Sequence, residues 1–268
     1  MRRIAFINEK GGTCKTTLAV NVAAWLAREK KKRVLLVDLD TQGHAGKSLG
    51  LDVRSLSPNV YHWLSDRSLP LRAVARGSAI ERLTVIPAYK EMGGLPEAVA
   101  TDPRRDWLLS DRLDEEEAQA YDVVVFDAPP SMGLASRNIL NAATEVVVPV
   151  ALTYFALDGC AEIVQTVQQL AEGRADGGPR VTRVVPTLYR RTALADEILT
   201  KLKEYFPGQV STPLGFNVKI DEAQSHGRTI WEYAPKSRGA EVLGTIAREI
   251  DLAGAPPRSR AKPQTAAG

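Results

Sequence analysis

Two lysines, Lys10 and Lys15, enclose Gly11, Gly12, Thr13 and Cys14, and Thr16 and Thr17 follow at once. These residue types suit the capture of a highly charged anion. Glycines let backbone N–H groups turn inward without a Cβ in the way, a lysine adds a point charge, and a hydroxyl can ligate a hard divalent cation. The apolar run at residues 4–8 ahead of the loop has strand length. After the loop, Leu18, Val20, Val22, Ala23, Trp25 and Leu26 recur at helical spacing, so the positive end of a helix points at the same anion. Strand, glycine loop and helix together make a phosphate cradle. Lys15 is expected at the outer phosphates of a nucleotide and Thr16 on Mg²⁺, with Gly11, Gly12, Thr13, Cys14 and Thr17 completing the loop.

Carboxylates stand where such a cradle needs them. Asp38 and Asp40 end the apolar run 34–37 at alternate spacing, which puts both side chains on one face of an extended segment. Asp127 closes the buried run 123–126, and Pro129 and Pro130 stiffen the exit. Open α/β sheets hold ligands at the carboxyl ends of strands, and a carboxylate there can hold the hydration shell of Mg²⁺ opposite the loop.

The surrounding elements alternate strand and helix, which predicts a doubly wound, mainly parallel α/β sheet in one domain. Further strands are expected at 83–87, 146–150, 181–187 and 210–214, and helices at 157–170 and 240–250. Residues 96–120 read as mostly helical, with the acidic run 114–117 a solvated face. A helix after residue 192 is expected to turn Leu194, Ile198, Leu202 and Phe206 inward. The domain is expected to span 1–252, and the Pro-, Ala-, Arg- and Lys-rich stretch 253–268 to be disordered.

The 268 residues suffice for one large core, and 44% hydrophobic with 25% charged content is ordinary for a globular chain. A net charge of +3 permits contact with DNA or an anionic membrane without arguing for either. The two cysteines, Cys14 and Cys160, suggest neither a disulfide framework nor a zinc site, and Cys160 reads as a buried helix residue. No run approaches transmembrane length, so a cytoplasmic protein is expected.

The loop departs from the standard G-x-x-x-x-G-K-[ST], because Glu9 and Cys14 stand at its two glycine positions. It resembles instead the deviant form K-G-G-x-x-K-T-T of the ParA/MinD family of ATPases, and Asp38-Leu39-Asp40-Thr41-Gln42-Gly43 and Asp127-Ala128-Pro129-Pro130 resemble that family's two aspartate motifs. Asn217-Val218-Lys219-Ile220-Asp221-Glu222-Ala223 also falls in register, so the resemblance runs from about Arg2 to Ile250. It implies ATP and Mg²⁺ as cofactors, Asp38 and Asp127 with Thr16 around the metal, and Asp40 polarising the attacking water. It implies that Lys10 reaches a partner subunit's triphosphate in an ATP-bound homodimer, and that Pro213 lies at the nucleotide.

The resemblance is closest to the ParA/Soj branch. That branch implies non-specific binding of double-stranded DNA through Arg191 and Lys219, with Arg190, Arg228, Lys236 and Arg238 as supporting charge. It also implies slow hydrolysis stimulated by a ParB-like or cargo-adaptor protein, and residence on the nucleoid. The alternatives are a MinD-like membrane-associated ATPase, disfavoured by a proline-containing tail without an apolar face, and a non-partitioning ATPase or kinase of the same fold. A nitrogenase-reductase-like role lacks thiolate ligands. Cys14 stands where the family has glycine. It is expected to fit through a negative φ, with a lowered thiol pKa at the helix N-terminus.

Overall fold

A computed structural model describes residues 1–153, 156–175 and 177–254. Eight strands form one sheet: β1 (Arg2–Phe6), β2 (Val34–Asp38), β3 (Arg76–Gly77), β4 (Leu83–Ile86), β5 (Val123–Asp127), β6 (Glu145–Ala151), β7 (Arg180–Tyr189) and β8 (Leu214–Gly215). Their spatial order is β3-β4-β2-β5-β1-β6-β7-β8. Every pairing is parallel except that of β3 with β4.

The first helices are α1 (Lys15–Glu29), α2 (His44–Ser48), α3 (Val60–Ser65), α4 (Leu71–Val74) and α5 (Leu95–Ala98). Next come α6 (Leu108–Leu113), α7 (Glu116–Gln119), α8 (Leu134–Ala142) and α9 (Ala156–Glu172). The last are α10 (Ala193–Tyr205), α11 (Val218–Ser225), α12 (Ile230–Tyr233) and α13 (Arg238–Gly254).

The central strands carry continuous apolar runs, with charged residues only at their ends, because both faces of the sheet are covered. Ile4 and Phe6 of β1, Leu36 of β2 and Val125 of β5 pack with α1 and α13 on one face. Ala5, Leu35, Val37, Val124 and Phe126 pack on the other, with Trp63, Leu109, Ile139 and Ile163. From β1 the chain winds toward one edge and from β6 toward the other. The carboxyl ends of β1, β2 and β5 therefore open onto a crevice, the place where such sheets hold ligands. The final helix belongs to this fold: α13 buries Ala240, Leu243, Ile246, Ala247 and Ile250, and its Glu249 accepts from Thr212.

Several sequence expectations shift. The strand expected at 210–214 reduces to β8 at Leu214–Gly215 and a lone bridge between Val184 and Val210. Pro213 has no N–H for a ladder, and the Thr212 amide bonds Glu249 of α13 instead, at 2.9 Å. The stretch 96–120, expected to be mostly helical, holds three short helices with a long non-helical segment between the first two. Its break falls where Asp102 accepts from the Arg104 amide at 2.7 Å, with Pro103 between them. Three acidic residues of 114–117 are paired rather than simply solvated: Asp114 with Arg3, Glu115 with Arg112 and Glu117 with Arg72. Leu194 is exposed, because the buried stripe of α10 runs through Ala195, Ile198 and Leu202 and Leu194 lies one position off it. Residues 253 and 254 continue α13, and the remainder of the expected tail lies outside the described residues.

Candidate nucleotide site

The chain leaves β1 through Asn8, whose side chain pins the start of the loop. Its Nδ2 donates to the Pro149 carbonyl at 2.6 Å, and its Oδ1 accepts from the Lys10 amide at 2.9 Å. Thr13 Oγ1 and Lys15 Nζ both donate to the Lys10 carbonyl, at 3.3 and 3.0 Å, so the loop closes on itself. Gly12 has φ of +72°, which glycine alone takes at no steric cost. The first turn of α1 carries neither an acidic residue nor a side-chain cap. Its amides are thus left to whatever anion sits in front of them.

Cys14 departs from expectation. Its φ is +63° and its ψ 27°, in the left-handed region, where the sequence reading required a negative φ. Such a conformation costs a non-glycine residue roughly 1–2 kcal/mol. Its side chain packs against the cluster that includes Leu18 and Ile4, which offsets part of that cost. The same burial pushes the thiol pKa up, not down, with a hydrogen bond to Thr187 and, more weakly, the Lys15 charge pulling the other way. A reactive thiolate is not what this pocket favours. Cys160 is fully buried in α9, as expected, and burial pushes it to about 12.

The loop forms one wall of a cavity of about 600 Å³ whose lining includes Gly11 to Thr17, Asp40, Gln42, His44, Lys47, Pro130 and Gln224. Lys15 is 7% exposed, and burial lowers its pKa while Asp127 and Asp40 hold it up. Asp38 and Asp127 face each other in register on β2 and β5. Burial raises the pKa of both, that of Asp127 to about 7.

The two carboxylates are otherwise unlike. Asp38 accepts from the amides of Asp40 and Ala45, at 3.0 and 3.1 Å, and so fixes the turn that brings Asp40 to the cavity. Both oxygens of Asp127 are buried without a hydrogen-bond partner among the described residues, although Thr16 and Lys15 are near enough to lower its pKa somewhat. An orphaned carboxylate behind a threonine hydroxyl fits a divalent cation with its waters. No group of three or more His, Cys, Asp or Glu among the described residues could hold a metal unaided. That fits Mg²⁺, which keeps several waters and takes phosphate oxygens as ligands.

The remaining candidate side chains do not line the loop cavity. Lys10 leans on α9 of its own chain, its Cε 3.2 Å from where a Cβ on Gly159 would stand. Pro213 and Arg191 line a second cavity of about 400 Å³, with Tyr189, Thr212, Asn217 and Arg238. Lys219 is exposed on α11. The structure adds Gln224, whose Nε2 donates to Thr17 Oγ1 at 2.9 Å across 207 residues of sequence. No local pattern around Gln224 marks it. Gln42 and Pro130 did lie within the aspartate motifs and could have been named from them.

These features define a P-loop ATPase with a deviant phosphate loop. A family model described as an AAA domain matches residues 1–176. The chain is 37% identical to the sporulation initiation inhibitor protein Soj of Bacillus subtilis, over 92% of this chain and 97% of that protein. It is 38% identical to the chromosome-partitioning ATPase Soj of Thermus thermophilus, over 93% of this chain and 95% of the relative. Among solved structures, cobyrinic acid a,c-diamide synthase from Mycobacterium smegmatis with a bound ATP analog and magnesium superposes with a TM-score of 0.78. It is 27% identical, covering 92% of this chain and 93% of the other. The chain belongs to the Soj/ParA family of partitioning ATPases.

Proposed function

We propose that the chain binds ATP with Mg²⁺ in the loop cavity, closes into a dimer over it, and in that form binds double-stranded DNA without sequence preference. A ParB-like or cargo-adaptor protein then stimulates a slow hydrolysis and the DNA is released. The amides of the loop and Lys15 hold the phosphates, while Thr16 and Asp127 hold the metal, with Asp38 behind them. The bound Mg²⁺ would neutralise charge on the β- and γ-oxygens. Asp40 reaches the cavity and polarises the attacking water. Lys10, which leans on α9 of its own chain, would reach a partner's triphosphate, where a cation stabilises developing charge. Pro213 and the second cavity take the base.

One observation carries the DNA reading. Arg191 and Arg238 line the second cavity, and Asn217, which lines it too, caps the helix that carries the exposed Lys219, so basic side chains flank that cavity. Scattered Lys and Arg contacts to phosphate give sequence-independent, salt-sensitive binding. The membrane alternative is weakened by α13, which packs into the core, and no described helix is long and apolar enough to cross a bilayer. Co-sedimentation with DNA in ATP, ADP and no nucleotide, over a salt series, tests the reading. ATP-dependent retention that falls steeply with salt is expected, and equal retention in all three states would overturn it.

A further inference from the structure

Lys219 differs from the other exposed cations named above. Arg190, Arg191, Arg228 and Lys236 have no ion-pair partner among the described residues, whereas Lys219 Nζ donates to Glu222 Oε2 at 2.6 Å, one turn along α11. Arg238 is also paired, with Glu241, but both of those side chains are largely exposed, at 76% and 67%. Glu222 is held more firmly. Its side chain is 34% exposed, and the Tyr233 hydroxyl donates to the same Oε2 at 3.0 Å. Tyr233 is itself fixed by stacking on His226 at 5.3 Å, and the Lys219 ammonium lies 5.9 Å from the Tyr233 ring centre.

We infer that Glu222 is an internal competitor for the phosphate that Lys219 would otherwise bind, so that the charge of Lys219 is masked and the DNA affinity of the edge is held down. This rests on the DNA reading above. The physical ground is exchange. A phosphate reaching Lys219 must displace a carboxylate already anchored by a second donor, and it then faces that carboxylate's negative charge at close range. Hydrogen bonds from Lys219 and Tyr233 keep the Glu222 pKa below the ordinary carboxylate range, so the competitor stays charged at neutral pH.

The test is DNA binding by the full chain with Mg²⁺ and a non-hydrolysable ATP analogue, followed by fluorescence anisotropy on a labelled duplex over a salt series. Glu222→Gln keeps the size of the side chain and an oxygen for Tyr233 while removing the charge. It is expected to bind DNA about three- to tenfold more tightly, with a salt slope steeper by about one per Lys219 released. In a Lys219→Gln background the same change is expected to do little. An unchanged or weaker affinity for Glu222→Gln overturns the proposal while leaving the DNA reading intact. An equal gain without Lys219 also overturns it, since that would be a general effect of net charge. If neither wild type nor Glu222→Gln binds DNA in any nucleotide state, the DNA reading itself fails and the proposal with it. Binding by Glu222→Gln alone supports both.

Discussion

At the carboxyl ends of β1, β2 and β5, charge is buried: Asp38 and Asp127 are fully enclosed, and Lys15 and Asp40 nearly so. On α11 and in the loops after β7, α11 and α12 it is exposed, on Lys219, Arg191, Arg228 and Lys236 respectively. A buried charge is costly unless something compensates it, so the crevice carries a physical demand for a partner. An exposed lysine or arginine is cheap and makes no such demand. The crevice thus argues for its ligand from its own geometry. The edge argues only through its position beside the second cavity and through the pairing of particular side chains.

Substitutions in the two regions should accordingly differ in kind. In the crevice, Lys15→Ala removes the charge proposed to hold the phosphates, and nucleotide affinity is expected to fall about 10²–10³-fold by calorimetric titration. Intact affinity would mean that the loop amides alone hold the anion. Asp40→Ala is expected to leave binding nearly unchanged and to lower the rate of phosphate release about 10²-fold or more, trapping the DNA-bound dimer. A parallel loss of nucleotide binding would place Asp40 in the binding shell rather than at the water.

On the edge the effects should be smaller and graded. Charge reversal at Arg191 and Lys219 together is expected to weaken DNA retention about tenfold and flatten its salt dependence. Nucleotide-dependent dimerisation, followed by light scattering, should be spared. Retention that does not change would remove these two residues from the contact surface and leave the crevice reading untouched.

The same contrast explains what the sequence could disclose. The phosphate loop, the two aspartate motifs and the apolar strands were legible because each is a contiguous segment whose physics is local. Gly12 needs its left-handed turn, and a strand buried on both faces needs a continuous apolar run. The division of labour between Asp38 and Asp127 was not legible, because it depends on which carboxylate the turn at Asp40 and Ala45 consumes. Gln224 was hidden for a related reason: its partner, Thr17, is brought to it only by the finished fold. On the edge, Lys219 could be named from its segment. Its mask could not, since Tyr233 arrives from a separate helix to hold Glu222.

Cys14 lies between these cases, a local residue misread because one dihedral decides it. Two opposed contributions act there: the left-handed backbone favours glycine, and the packed thiol favours a side chain. Cys14→Ala keeps the strain and loses the sulfur, whereas Cys14→Gly loses both. If the strain is as the backbone indicates, the glycine variant should be the more stable of the two by about 1 kcal/mol, read as a higher midpoint in thermal or urea unfolding. A glycine variant less stable than the alanine variant would mean that this turn relaxes in solution to a negative φ, as the sequence alone had suggested. The comparison of Ala with Gly isolates the backbone, because neither variant retains the thiol.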